Sequence, residues 1–463
     1  MAAGYDEPFR PQYHFSPQRN WTNDPNGLIW FEGEYHLFFQ YNPLGDKWGH
    51  MSWGHAVSPD LLHWKELPVA LAEEDGVMIF TGSTVIDDHN TTGFCAGKPC
   101  MVAVYTGHGH GVQTQNLAYS NDRGRTWTKY SGNPVLNLNL ADFRDPGVFW
   151  SKQSKRWIMA VALPNDHKVR IYGSPDLKKW DQLSEFGPAG ATGGQWECPV
   201  LFPVGDRWVL KVGLNPGGVQ GGSGEQYFIG NFDGTKFVND NPADLTLWTD
   251  YGKDCYCALP FNNLPTPILL GWMNNWQYAD KVPTSPWRGQ MTIPRELALR
   301  TFPEGVRLVQ QPVRGLAKLR GRATKKLKTS TFDIEAALDL NGADEAAWKL
   351  TYRDGSYTTV GYNATRQELY VDRTQSGIVN FSDKFPARTA APLTLTEGKL
   401  KVRILGDRDS LEVFSSDGRV AITNLIFPRS EPNGFIFESA GKARQTSLTI
   451  WPMKSTWTSR TSR

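Results

Sequence analysis

The sequence has no run of about 18 apolar residues, so nothing in it reads as a membrane-spanning helix. An excess of one charge is also missing. Its 49 Lys and Arg nearly balance 47 Asp and Glu, for a formal net charge of +2. That leaves no electrostatic case for nucleic acid or an acidic membrane surface. One basic run, Lys318 to Lys328, holds Arg320, Arg322, Lys325 and Lys326 and reads as a solvated linker or short helix. Cysteine is scarce: five in 463 residues, an odd number, so at least one thiol has no partner within the chain. Cys95 and Cys100 flank a turn-like Ala96-Gly97-Lys98-Pro99, a spacing that suits a small disulfide loop. Cys255 and Cys257 alternate on a strand-like segment. No set of Cys and His has zinc-site spacing, and His108 and His110 lack further ligands, so neither metal nor cofactor is expected. Met1-Ala2-Ala3-Gly4-Tyr5 has neither the charged head nor the apolar core of a signal peptide.

Helical periodicity is nearly absent before residue 310. Short apolar runs such as Tyr35 to Phe39, Met101 to Tyr105, Trp157 to Val161 and Trp208 to Val212 are punctuated by Gly, Pro, Asn and Asp, which is an all-β pattern. A motif also recurs. Ser58-Pro59-Asp60 leading to Trp64 returns as Ser120-Asn121-Asp122 leading to Trp127, and as Ser174-Pro175-Asp176 leading to Trp180. A degenerate copy runs from Asn231 to Phe237. The closing aromatics are about 63, 53 and 57 residues apart, room for four strands per copy. Asp and Ser in that motif cap a tight turn, and the aromatic packs between units. The expectation is an all-β chain: a five-bladed β-propeller over residues 5–312, a linker over 313–328, and a C-terminal β-sandwich over 329–463.

What the chain has in plenty is aromatic side chains, 12% of residues with eighteen Trp. Three acidic motifs sit among them: Asn23-Asp24-Pro25-Asn26-Gly27, Arg144-Asp145-Pro146 and Glu197-Cys198-Pro199. Each taken alone has a bland reading as a turn, an internal ion pair or a kink. At propeller spacing they converge on one pocket from the inner strands of three blades. Carboxylates facing each other across a sugar-sized gap, walled by aromatic rings, suit glycosidic bond cleavage. Repulsion in a partly dry pocket should raise at least one pKa, that of the best-buried acid, which would then serve as proton donor.

The ordered motifs Trp21 to Gly27, Phe39-Gln40-Tyr41-Asn42-Pro43, Phe80-Thr81-Gly82-Ser83, Arg144-Asp145-Pro146 and Trp196-Glu197-Cys198-Pro199 resemble glycoside hydrolase family 32, the β-fructosidases. Trp272 to Tyr278, Pro294 to Leu297, Val371-Asp372-Arg373 and Glu412-Val413-Phe414 extend the likeness, which is nearest to exo-inulinases and levanases. The resemblance implies a retaining double displacement on terminal fructosyl units of fructan or sucrose. Asp24 would be the nucleophile, Glu197 the acid/base and Asp145 the transition-state stabiliser, with Arg144 orienting the site. Retention implies nucleophile and acid/base carboxyls about 5–5.5 Å apart. Asn23, Gln40, Trp48, Phe80, Ser83 and Trp276 would line the fructose subsite. Asp250, Asp254 and Tyr256 resemble a further segment near the site, with Cys255 where an aromatic is expected. Thr22 replaces a more usual Met and is expected to tune acceptor binding, and the loop Ala72 to Val77 is a candidate determinant of exo against endo action. Rival readings are an inverting pentosan-active propeller, a non-catalytic sugar-binding protein, and a fructosyltransferase or endo-fructanase of the same family. A polymer substrate points to a secreted protein. Asn20, Asn90, Asn363 and Asn380 match the glycosylation acceptor pattern, which is common by chance.

Overall fold

The computed structural model describes residues 4–457. Residues 1–3, and residues 458–463 at the end of the expected sandwich span, lie outside the described part.

Five antiparallel sheets follow one another along the chain up to Pro312. Their first strands are Asn20–Phe31, Met78–Asp87, Arg144–Ser151, Gln195–Val204 and Tyr256–Pro260. Each of these packs on the next, and the fifth returns to the first, so the sheets close into a ring. The first sheet also takes in Trp287–Arg288, which pairs in parallel with Asn20 and Trp21. The cores lie between sheets. Val102, Val104 and Leu117 of the second meet Val148, Met159 and Val161 of the third. Ile158 and Ile171 of the third meet Leu210, Val212 and Phe228 of the fourth. Each such side chain stabilises by about 1.5–3 kcal/mol when fully buried.

The recurring Ser-x-Asp motif forms the turn into the fourth strand of each of the first three sheets, and its degenerate copy does so in the fourth. The Asp60 carboxylate accepts from the Leu62 and His63 amides, and Asp176 does the same for Lys178 and Lys179. The closing Trp127 and Trp180 donate back to Gly124 and Leu177.

The 3-10 helix Arg314–Leu319 takes in the start of the basic run at Lys318, and the rest of the run is non-helical and bridges to Met453 and Ile450. Its Lys side chains are solvated, while Arg320 pairs with Asp333 at 2.7 Å. Two five-stranded sheets then pack face to face around Ile334, Trp348, Val360, Val371, Val402 and Val413.

Charged groups buried between ring and sandwich join the two. Asp254 pairs with Arg373 and accepts from Leu425, while Arg295 binds both Asp250 at 2.8 Å and Glu412 at 2.5 Å. The stretch before the first sheet is held the same way: His14 lies between Asp407 and Glu412, at 2.9 and 2.8 Å.

Candidate active site

Every inner strand carries a ladder irregularity, and the three acids sit at them. The shifts fall between Thr22 and Pro25, Ile79 and Gly82, Arg144 and Gly147, Glu197 and Val200, and Tyr256 and Leu259. This accounts for the proline beside each acid. Proline gives no ladder hydrogen bond, so it is tolerated at a bulge, and a bulge re-aims its neighbours. Asp145 and Cys198 adopt positive φ, 68° and 49°. Gly27 does so too, at 51°, and a Cβ there would lie 2.4 Å from Thr84 Oγ1, which accounts for the glycine after Asn26.

The three acids lie close enough for their charges to act on one another. Of the three, Asp145 also lines a channel of about 820 Å³ along the ring axis, walled from all five inner strands by residues including Gly27, Ser83, Cys198 and Leu259. Asp24 Oδ2 accepts from Thr81 Oγ1 at 2.7 Å, while Oδ1 is buried with no partner among the described residues. Asp145 Oδ2 accepts from the Cys198 amide at 2.9 Å, and the Asp145 amide donates to Thr106 Oγ1. Glu197 Oε1 accepts from Arg144 Nη2 at 2.9 Å, and Oε2 accepts from Tyr256 Oη. Arg144 is fixed in turn by Asp142 and Gln195, at 2.6 and 2.8 Å.

Burial, then the neighbouring Asp145 charge, pushes Asp24 up to about 7. Burial raises Asp145 to about 6, with Arg144 pulling against it. The raised, best-buried acids are thus the two aspartates rather than Glu197. Asp24 and Asp145 are 9% and 5% exposed, whereas the Glu197 side chain is 18% exposed and charge-paired. Tyr256 is held well above the usual phenol range by burial and by Glu197.

The remaining candidates divide. Asn23 is buried and accepts from Trp21 Nε1 at 2.7 Å; Gln40 is buried and donates to the Ile79 carbonyl at 3.0 Å. Trp48, 46% exposed, stands edge-on to Phe80, which stacks on His108 at 4.6 Å. Trp276 stacks on Trp21 with centroids 5.9 Å apart. Ser83 is placed differently: its hydroxyl donates to the Pro146 carbonyl and accepts from the Val148 amide, joining two sheets below the acids. Thr22 is wholly buried and donates to the Gln40 carbonyl, so it cannot meet an acceptor. Asp250 and Asp254 face the sandwich rather than the acids. Cys255 is a buried free thiol.

Tyr256, which the sequence placed near the site, donates to Glu197, whereas Thr81, which donates to Asp24, was not singled out from sequence. Thr81 sits inside a recognised motif, and an identified bulge there would have signalled that it points inward. Cys95 and Cys100 form a disulfide, and so do Cys198 and Cys257, a pair with no sequence signal because their spacing is long. Asp24, Cys198 and Cys257 form the one group of three possible metal donors among the described residues, and its two sulfurs are spent on each other.

The chain matches the model of the glycosyl hydrolases family 32 N-terminal domain over residues 14–312, and that of the family's C-terminal domain over 307–452. It is 47% identical to a levanase of Bacillus subtilis (strain 168), over 98% of this chain and 72% of that protein. It is 40% identical to an extracellular exo-inulinase of Aspergillus awamori, over 98% and 96%. The crystal structure of exo-inulinase from Aspergillus awamori superposes with a TM-score of 0.92, covering 98% of this chain and all of that one. A β-fructofuranosidase from Schwanniomyces occidentalis complexed with fructosyl-erythritol, 32% identical, superposes at 0.89 over 98% and 99%. With the acids gathered at one end of a ring of sheets, a sandwich attached, and both family domains matched along nearly its whole length, the chain belongs to glycosyl hydrolase family 32 and is a glycoside hydrolase.

Proposed function

We propose that this enzyme is a retaining β-fructofuranosidase that removes terminal fructosyl units from fructan, with sucrose as a second substrate. The convergence of Asp24, Asp145 and Glu197 is the observation that carries this reading, and the levanase and exo-inulinase relatives support the substrate class. Asp24 attacks the anomeric carbon through Oδ1, the oxygen without a partner, while Thr81 holds Oδ2. Glu197 gives its proton to the leaving oxygen, then takes one from the incoming water. Being the more exposed acid, it exchanges protons with solvent. Arg144 and Tyr256 fix its two oxygens. Asp145 binds fructosyl hydroxyls and offsets the positive charge that develops on the ring. Asn23 and Gln40 offer amide groups, and Trp48, Phe80 and Trp276 apolar walls, a mix that suits a furanose. Ser83 serves as a bridge between sheets rather than as a sugar ligand. The extracellular exo-inulinase relatives favour secretion.

The test is product analysis on sucrose, inulin and levan, with Glu197→Gln alongside. Fructose as the sole early product, released first as the anomer of retained configuration and lost in the variant, is the expected result. Early oligosaccharides would mean endo cleavage or transfer. No release from any fructoside would overturn the reading.

A further inference from the structure

The fourth and fifth inner strands belong to separate sheets, and among the described residues no ladder or isolated bridge joins them. A covalent bond does. Cys198 follows Glu197, and Cys257 follows Tyr256, whose hydroxyl holds Glu197 Oε2. Both cysteines stand at strand irregularities with positive φ, 49° and 44°, where ladder pairing is locally interrupted. The disulfide thus crosses directly beneath the Glu197–Tyr256 contact. Its Cys198 end reaches the other two acids: the amide donates to Asp145, and Sγ lies 3.9 Å from Asp24 Oδ2.

We propose that the Cys198–Cys257 disulfide is a positioning clamp for the catalytic carboxyls, and that its reversible reduction by a small dithiol attenuates the enzyme. The inference rests on the β-fructofuranosidase reading above. In reduction, two thiols of the reagent become its cyclic disulfide, and two electrons and two protons pass to the protein sulfurs, leaving two thiols. The bond is buried, with Cys198 3% exposed and Cys257 0%, and the axial channel that Cys198 lines is the route a small dithiol would take. Two consequences follow. Without the tether, the Glu197 and Tyr256 strands move independently, and the acid/base loses its fixed geometry. The Cys198 thiol also gains a hydrogen to donate to Asp24, which favours the ionised nucleophile. Asp24 is faced by Thr81 from the second sheet, Arg144 and Asp145 from the third, Glu197 from the fourth and Tyr256 from the fifth. Among these, the change at sulfur adds the new donor.

The full chain carrying Cys95→Ala and Cys100→Ala isolates this bond from the other disulfide. Alkylation of the denatured, unreduced protein should label Cys255 alone, and after dithiothreitol all three remaining cysteines. Reduction should lower kcat on sucrose about tenfold, as expected for a displaced catalytic group, with KM changed less than twofold. It should also move the acid limb of kcat/KM to lower pH, and reoxidation should reverse both effects. Cys257→Ala should match the reduced enzyme and ignore dithiothreitol; if that variant does not fold, the reversible cycle in the parent decides. Labelling of Cys198 and Cys257 before reduction would overturn the proposal. So would a fully reduced enzyme with unchanged kcat and pH profile, which is the result of a merely stabilising crosslink. Fructose release indifferent to redox state removes the clamp alone, whereas no release in either state removes the functional reading with it.

Discussion

At the scale of single residues, the site is governed by which carboxyl oxygen has a donor. Asp24 has one, from Thr81, and burial beside Asp145 sets its pKa near 7. In its proposed role as nucleophile Asp24 must be ionised, so kcat/KM should fall as pH drops through a window above the ordinary carboxylate range. Thr81→Val removes a bond that lowers this pKa, and its acid limb should move up by about one pH unit; an unmoved limb would mean that another group sets it. Tyr256→Phe removes the donor to Glu197 Oε2, and kcat on sucrose should fall about tenfold with KM within twofold. A rise in KM alone would make Tyr256 a substrate ligand instead.

At the scale of strands, the inner-strand bulges decide which side chains enter the pocket. Ser83 illustrates the difference between motif and placement. It falls within a recognised motif, yet its hydroxyl is used twice in joining the second and third sheets. Ser83→Ala should lower stability by about 1 kcal/mol, read by thermal unfolding, and leave KM for sucrose unchanged; a large KM change would return it to the sugar subsite. The strands, the repeated turn and the three acids were legible because each has a local cause: alternation, an Asp that caps its own turn, a proline at a bulge. The contact of Thr81 with Asp24, that of Tyr256 with Glu197 and the Cys198–Cys257 bond were not. Their significance lies in contacts between sheets far apart in sequence, which neither period nor spacing encodes. Thr22 misled for the same reason: adjacency to Asp24 along the chain says nothing about the face on which its side chain is buried.

At the scale of the whole molecule, stability depends on ionised groups buried between ring and sandwich. Desolvation would lower the His14 pKa, but its bonds to Asp407 and Glu412 raise it to about 9. A raised histidine contributes stability that is full below its unfolded value of about 6.5 and lost as pH rises through the folded value. The melting temperature should therefore decline between pH 6.5 and 9, and His14→Gln should flatten that decline. Arg373 is wholly buried and pairs with Asp254 across the same interface. Arg373→Ala leaves that carboxylate uncompensated and should cost about 3–5 kcal/mol, read by denaturant unfolding. A loss under 1 kcal/mol would show that water reaches the interface.

The parallel pairing of Asn20 and Trp21 with Trp287 and Arg288 spans only two residues on each side. It is nonetheless where the ends of the circle are fastened, much as a belt is. The loose end leading into it is stitched to the sandwich: the Gln12 and Tyr13 amides donate to Asp407, and Trp457 donates to the Pro11 carbonyl. The sandwich thus acts as the buckle. A chain ending at residue 312 keeps all five sheets and the short pairing at the seam but loses the buckle, and it should open from that seam before any sheet melts.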